Sequence, residues 1–256
     1  TMADDSSDDA SGSEALLRWV IIVAAFLFLA SRIWKIFSRK KNKYVGQKDA
    51  SGKRHGKGKQ YLANGDIFEG DFYKNHYQRG TYTYANGAYY TGPFKNREKH
   101  GVGIEIYADK SSKYEGAFQS GMRHGEGKLS YASGATYKGS WKKNKKSGKG
   151  CYTSAVGVFE GQFSDGKREG KGRMKYNSGK FLEYNGRWKN NQWNGSGVLV
   201  FRAGGRWQGM FKDGVQHGKG VFFKDDKKAV HEYDTGKLVK VKVEDDGSSS
   251  VATETK

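Results

Sequence analysis

Four histidines, His55, His100, His124 and His217, each stand immediately before a glycine. Imidazoles recurring in one slot are the first candidates for metal chemistry. A zinc site needs ligand nitrogens about 2 Å from one ion. Equivalent positions in neighbouring two-strand units lie about 10 Å apart, so the slot cannot share an ion and is expected to hold a hydrogen-bonding histidine beside a turn. Gly56-Lys57-Gly58 and its copies have the look of phosphate-cradling loops, but such a loop must open a helix whose N-terminus meets the phosphate, and no helical pattern follows. Cys151 is the single cysteine. It has no histidine near it in its unit to activate a thiolate, and no second cysteine for an intrachain disulfide. No catalytic, metal-binding or cofactor-binding set emerges, and the chain is expected not to be an enzyme.

The same residues make sense as parts of a repeat. In the stretch Tyr114 to Trp141, Tyr114-Gly116-Phe118 opens a unit, Gly125-Gly127-Leu129-Tyr131 continues it, Ser133-Gly134 closes it, and Tyr137-Gly139-Trp141 begins the next. The opening glycine recurs at Gly46, Gly70, Gly92, Gly116, Gly139, Gly161, Gly186 and Gly209. A near-constant period in this range signals stacked units. Each unit reads as a β-hairpin. Strand period two puts Phe68, Gly70 and Phe72 on one face, and the bare glycine leaves room for a ring to lie across the backbone. The second strand does likewise with Gly170, Gly172, Met174 and Tyr176. Asn64-Gly65, Asn86-Gly87, Ser133-Gly134 and Ser178-Gly179 suit two-residue turns, and Asp165-Gly166 and Asp213-Gly214 mark the other turn of their units. Local irregularity is expected at Asp109-Lys110-Ser111-Ser112, at Ala155-Val156-Gly157, and at Gln78, which replaces the first glycine of its pair.

YEGAF, YKGSW, FEGQF and FEGDF, followed by HGEGKLSY- or EGKGRMKY-like segments, resemble the MORN (membrane occupation and recognition nexus) repeat family. The resemblance covers about eight units from residue 44 to 220. It implies a mainly β fold: an elongated, twisted, single-layer antiparallel sheet of about sixteen strands. Residues 221–243 keep strand character and are expected to cap the array, with lysines guarding the last edge; 244–256 form a polar tail.

Ahead of the array, residues 1–14 carry five acids and no base and read as an unstructured tail. Residues 15–37 are apolar, with Trp19 and Trp34 placed like interfacial anchors around Phe26 and Phe28. A single transmembrane helix is favoured over a cleaved signal peptide, whose leader should be basic, and over a buried helix, for which the repeats offer no partner layer. The uncharged run is short, so Arg18, Arg32 and Lys35 must snorkel. Bases follow the span, in residues 38–43 as Arg39, Lys40, Lys41 and Lys43, which orients the repeats to the cytoplasmic or organelle-matrix side. These four are also candidates for contact with anionic lipid.

Residues 44–240 hold 37 basic against 18 acidic residues. Such a field favours anionic partners, or is simply a solvated lysine-rich surface. Basic residues among aromatics also describe a single-strand nucleic-acid surface, but here the aromatics follow the glycine spacing and belong inside, so nucleic acid is not expected. The expected role is a membrane-anchored scaffold that docks other protein subunits, an accessory part of a larger membrane assembly; the architecture suits the mitochondrial inner membrane. The alternative is a tether binding anionic lipid at a membrane contact site, to which the family is often linked.

Overall fold

The computed structural model describes residues 42–243 and 251–252. The expected membrane segment (Trp19, Phe26, Phe28, Trp34), the basic residues Arg39, Lys40 and Lys41, and most of the polar tail lie outside the described residues. No described helix is long and apolar enough to cross a membrane. The strands are β1 (Lys43–Lys48), β2 (Arg54–Tyr61), β3 (Ile67–Tyr73), β4 (His76–Thr83), β5 (Tyr89–Lys95), β6 (Glu98–Lys99), β7 (Gly101–Ile106), β8 (Lys113–Gln119), β9 (Met122–Ser130), β10 (Thr136–Lys142), β11 (Lys145–Ser154), β12 (Gly157–Ser164), β13 (Lys167–Tyr176), β14 (Phe181–Lys189), β15 (Gln192–Phe201), β16 (Arg206–Lys212), β17 (Val215–Lys224), β18 (Lys227–Asp234) and β19 (Lys237–Val243), with a two-residue β20 (Val251–Ala252) beside β19. Successive strands pair antiparallel into one open, elongated sheet, except that β7 pairs with β5 past the short β6. β1 to β17 without β6 make up the expected sixteen; the extra strands are the two-residue β6 and, past the end of the glycine pattern at Gly220 in β17, β18 and β19 with the short β20 beside them. Lys43, expected beside a membrane, opens β1 opposite Tyr61.

The glycines of the two strands of every unit fall into one row. Gly116 stands opposite Gly103 on one side and Gly127 on the other; Gly127 faces Gly139, and Gly139 faces Gly150. The row runs from Gly46 to Gly220 and takes one residue from each strand from β1 to β17 except β6. The reason is the ring two residues earlier. Tyr114 lies over both Gly116 and Gly127, and its hydroxyl donates to the Ala117 carbonyl at 3.0 Å. Tyr44, Tyr90, Tyr137 and Tyr184 likewise donate to the carbonyl three residues on. These hydroxyls land where the ladder slips, as between Gly116 and Phe118. The first glycine of the second strand takes up that slip in the left-handed region (Gly125, φ 72°).

The core is a herringbone of rings on this one face. Each reclining ring meets the second aromatic of its own strand edge-on, then that of the next unit: Tyr114 lies 5.0 Å from Phe118 and 5.4 Å from Trp141, and Tyr137 lies 5.1 Å from Trp141 and 5.0 Å from Phe163. Edge-to-face geometry at this spacing is the favoured arrangement of ring quadrupoles. Tyr114, Tyr137 and Tyr184 are fully buried although the sheet has a single layer.

The turns correct the sequence reading. The Asn-Gly and Ser-Gly closures are three-residue loops, such as Ala63-Asn64-Gly65. Gly65 N–H reaches Leu62 O at 3.0 Å, and Leu62 N–H reaches Asp66 O at 2.9 Å. Only Gly65 has a left-handed φ, of 91°, which is a type I turn followed by a glycine bulge. Ser178-Gly179 sits in the longer 177–180 connection. The true two-residue turns lie at the other rim, with positive φ at both residues: Lys74-Asn75, Ser120-Gly121, Lys143-Asn144, Asp165-Gly166, Asn190-Asn191 and Asp213-Gly214. The three expected irregularities are present. Lys110 takes the left-handed φ (58°) in a loop one residue longer, Ala155-Val156 makes a tight turn without positive φ, and Gln78 bulges between Tyr77 and Arg79.

That rim carries a stitch between units. The carbonyl of the residue two before the first glycine of a pair accepts from the backbone N–H of the second turn residue of the next hairpin: Arg54 from Asn75 at 2.9 Å, Lys99 from Gly121 at 3.0 Å, Arg123 from Asn144 at 3.0 Å, Lys146 from Gly166 at 2.9 Å, Arg168 from Asn191 at 3.1 Å. Where the turn residue is asparagine, the stitching residue is arginine. The asparagine Oδ1 then accepts from the arginine backbone N–H at 2.8–2.9 Å, and the guanidinium reaches the asparagine carbonyl, at 3.1 Å for Arg123 and 3.0 Å for Arg168. Where the turn has glycine, the stitching residue is Lys99, Lys146, Trp193 or Gln216.

Two outcomes follow for stability. A methyl on Gly127 would meet Tyr114 ring carbons at 2.5 and 2.7 Å, so Gly127→Ala is expected to cost about 3 kcal/mol, the upper part of the overpacking range. Gly134→Ala meets nothing within 4 Å and is expected to cost about 1 kcal/mol from its left-handed φ alone. Equal melting temperatures for the two variants would remove the ring-over-glycine account. In a double-mutant cycle of Arg123→Lys and Asn144→Gly, each single change is expected to cost about 1 kcal/mol, with the double variant recovering about 1 kcal/mol of the sum. Strict additivity would show that the stitch is not a coupled unit.

Candidate docking surfaces

The two faces of the sheet hold their cations differently. On the ring face, the stitching residues lie over the herringbone. The Arg123 guanidinium is 4.5 Å from the Trp141 ring centroid, Arg168 is 4.4 Å from Trp188, and the Lys146 amine is 4.3 Å from Tyr152. Desolvated cations over ring faces gain the stronger cation–π energies, about 2 kcal/mol. Burial, together with the charges of Arg123 and Arg168, pushes the Lys146 amine below its ordinary range. Burial raises Tyr137, which also lies under Lys146, to about 12. These groups are half-buried packing elements, and their charge is not offered to a partner.

A depression of about 440 Å³ opens at the margin of the ring face, among Tyr77, Tyr82, Tyr84, Phe94 and Lys99. Its polar groups are committed. Tyr82 donates to Asp66 at 2.6 Å, Asp66 also accepts from the Ala85 N–H at 2.8 Å and from Asn64 at 2.8 Å, and Lys99 is paired with Glu105. Burial alone would raise the Asp66 carboxyl, yet these three hydrogen bonds hold it below the ordinary carboxylate range. The network fastens one loop to the next.

The open face carries the residues that flank the glycine row, in two lines of side chains running across the strands. Between these lines, over Gly186, Gly197 and Gly209, runs a trough of about 600 Å³ bordered by Lys171, Asn185, Arg187, Ser196, Gln208 and Met210. At the N-terminal end the charges of this face cancel: Lys57 pairs with Asp71 and Lys59 with Glu69, each at 2.7 Å. Over β4–β8 it is mostly uncharged, with Pro93 and Ala117 on either side of Val102, which is 73% exposed. From β9 onward it turns basic.

Of the residues singled out from sequence, Tyr114, Gly116, Phe118, Gly127, Tyr137, Gly139 and Trp141 come together at the row and its rings, and Gly125 at the slip beside it. Tyr131 packs further along against Tyr152, 6.4 Å away. The histidine slot differs from expectation: the buried Nδ1 atoms of His55 and His217 have no hydrogen-bond partner among the described residues. Among those residues no three His, Cys, Asp or Glu side chains gather as a metal group. Cys151 lies half-buried on the open face, opposite Lys138 and Glu160. The arginine–asparagine stitch was missed. Its only sequence signal is an asparagine 21 to 23 residues after an arginine.

No curated protein matches the chain. Among solved structures, the chain is similar to the SAS-4 (dCPAP) TCP domain in complex with a proline-rich motif of Ana2 (dSTIL) of Drosophila melanogaster, at 13% identity over 75% of this chain and 90% of that one. The TM-score is 0.32, and a likeness of that size carries no argument. The family model described as MORN repeat matches residues 50–67, 79–89, 90–112, 114–136, 137–158, 159–181, 184–206 and 207–227. Those eight segments cover more than half of the sequence and track the glycine row strand by strand: the chain belongs to the MORN-repeat family.

Proposed function

We propose that the chain is a non-catalytic scaffold, anchored to a membrane by residues 15–37, whose sheet docks other protein subunits of a larger membrane assembly with the repeats on the cytoplasmic or matrix side. The observation that carries this reading is the open face. The ring face spends its large side chains on its own packing. The other face presents two regular lines of side chains over a rigid floor some 80 Å long, at ~4.8 Å per strand. That is a surface of the size that stable protein interfaces need. A placement in the mitochondrial inner membrane belongs to the same proposal.

A second reading is favoured by the unpaired cations of the same face: a tether that binds anionic lipid on a facing membrane. Each such base is worth about 1 kcal/mol near an anionic leaflet.

Mild-detergent extraction of the tagged native chain, followed by native sizing and identification of what travels with it, tests the first reading. The expected result is a stoichiometric, salt-resistant complex with other subunits. Recovery of the lone chain, together with bridging of a second vesicle only when that vesicle contains anionic lipid and only at low salt, would establish the tether instead.

A further inference from the structure

The basic stretch of the open face is built against its own stability. Lys128 stands directly opposite Lys138, and Lys171 directly opposite Arg187. Lys149 lies between them, opposite Gln162. All five are exposed, and within the described residues none makes an ion pair. Like charges directly opposed across an antiparallel pair are destabilising. The nearby acids are engaged elsewhere. Glu115 is paired with Lys113, Glu183 is paired with Arg173, Glu126 accepts from Ser140, and Glu160 faces Arg173. Nor do these five cations sit over rings as Arg123, Lys146 and Arg168 do. The same face pairs its charges neatly at Lys57–Asp71 and Lys59–Glu69, so the fold is able to cancel charge here and does not.

We infer that this stretch is the docking site for an acidic, extended segment of a partner protein, laid across the strands from β9 and entering the trough over Gly186, Gly197 and Gly209 at its far end. This rests on the docking reading above and names the face and the partner's chemistry. Carboxylates would meet Lys128, Lys138, Lys149, Lys171 and Arg187. An apolar side chain at the far end of the segment would meet Met210, which is 49% exposed at the border of the trough. From β9 to β16 is about 34 Å, or roughly ten extended residues. The occupant is not this chain's own C-terminal acid cluster. Glu244, Asp245 and Asp246 follow directly on β19, about 24 Å of stacked strands from β14, and three residues reach about 10 Å. The acids of residues 1–14 lie, on the membrane reading, across the bilayer. A flat anionic bilayer is the weaker fit, because Lys171 and Arg187 border a trough rather than a plane.

The test uses the full chain in neutral-lipid nanodiscs and a fluorescein-labelled polyglutamate peptide, read by anisotropy at low ionic strength. Lys171→Ala/Arg187→Ala is expected to weaken binding at least ten-fold, while melting no lower than wild type because a repulsion has gone. Lys57→Ala/Lys59→Ala changes net charge by the same amount on the same face and is expected to weaken binding by less than two-fold. No binding by the wild-type chain, or equal losses in the two variants, overturns the proposal. So does displacement of the peptide by phosphatidylserine vesicles more readily than by unlabelled polyglutamate, which would assign the cations to lipid. If the native complex survives in the Lys171→Ala/Arg187→Ala chain, docking stands and this placement of it falls; if no complex forms with either chain, both fall.

Discussion

A tyrosine ring lying across two paired glycines is the contact on which this architecture depends. A sheet one layer thick has no second layer to cover its apolar side, and 35% hydrophobic residues could not supply one. The chain solves this by laying each large ring flat against its own backbone and then wedging the next ring edge-on against it. Only a residue without a Cβ lets a ring come that close, which makes glycine obligatory in every strand the rings cover. The hydroxyl bond to the carbonyl three residues on then fixes the tilt of the ring and uses the slip in the ladder instead of merely tolerating it.

This part of the fold was legible in the sequence because no other residue type can substitute for glycine, so its period shows through all the variation around it. The merging of both glycine sets into one row was not legible. It depends on the two-strand register, and the register depends on a bulge whose only trace is a second glycine two residues earlier. The turns were misread for a related reason: Asn-Gly fits both a two-residue turn and a type I turn with a bulge, and what decides between them is the count of residues between the last and first paired positions, five from Tyr61 to Ile67. The arginine–asparagine stitch joins residues more than twenty apart and needs both hairpins in place before it means anything.

Charge was the least legible property. The lysines are spread through all the units, and a sum over the chain treats Lys146 and Lys171 alike. The structure separates them by one step of strand alternation. Lys146 sits over rings on the inner face, with its amine pushed down by burial; Lys171 stands on the outer face opposite another cation. The slip at each first glycine decides which lysines fall in which set, so the outer excess cannot be counted until the register is known.

The order of strands has a mechanical meaning. Among the described residues, β1 lies at the margin of the sheet with β2 alone beside it, and it is the strand through which the chain arrives from its N-terminal segment. A pull delivered along that route loads the β1–β2 hydrogen bonds one after another, as a zipper is opened, and not all together in shear. With each unit held only by its neighbours, the array would yield a strand at a time under tension and re-form when the load is released. Its stiffness would be high across the middle and low at the β1 margin, so the long sheet can yield at one end without losing its shape.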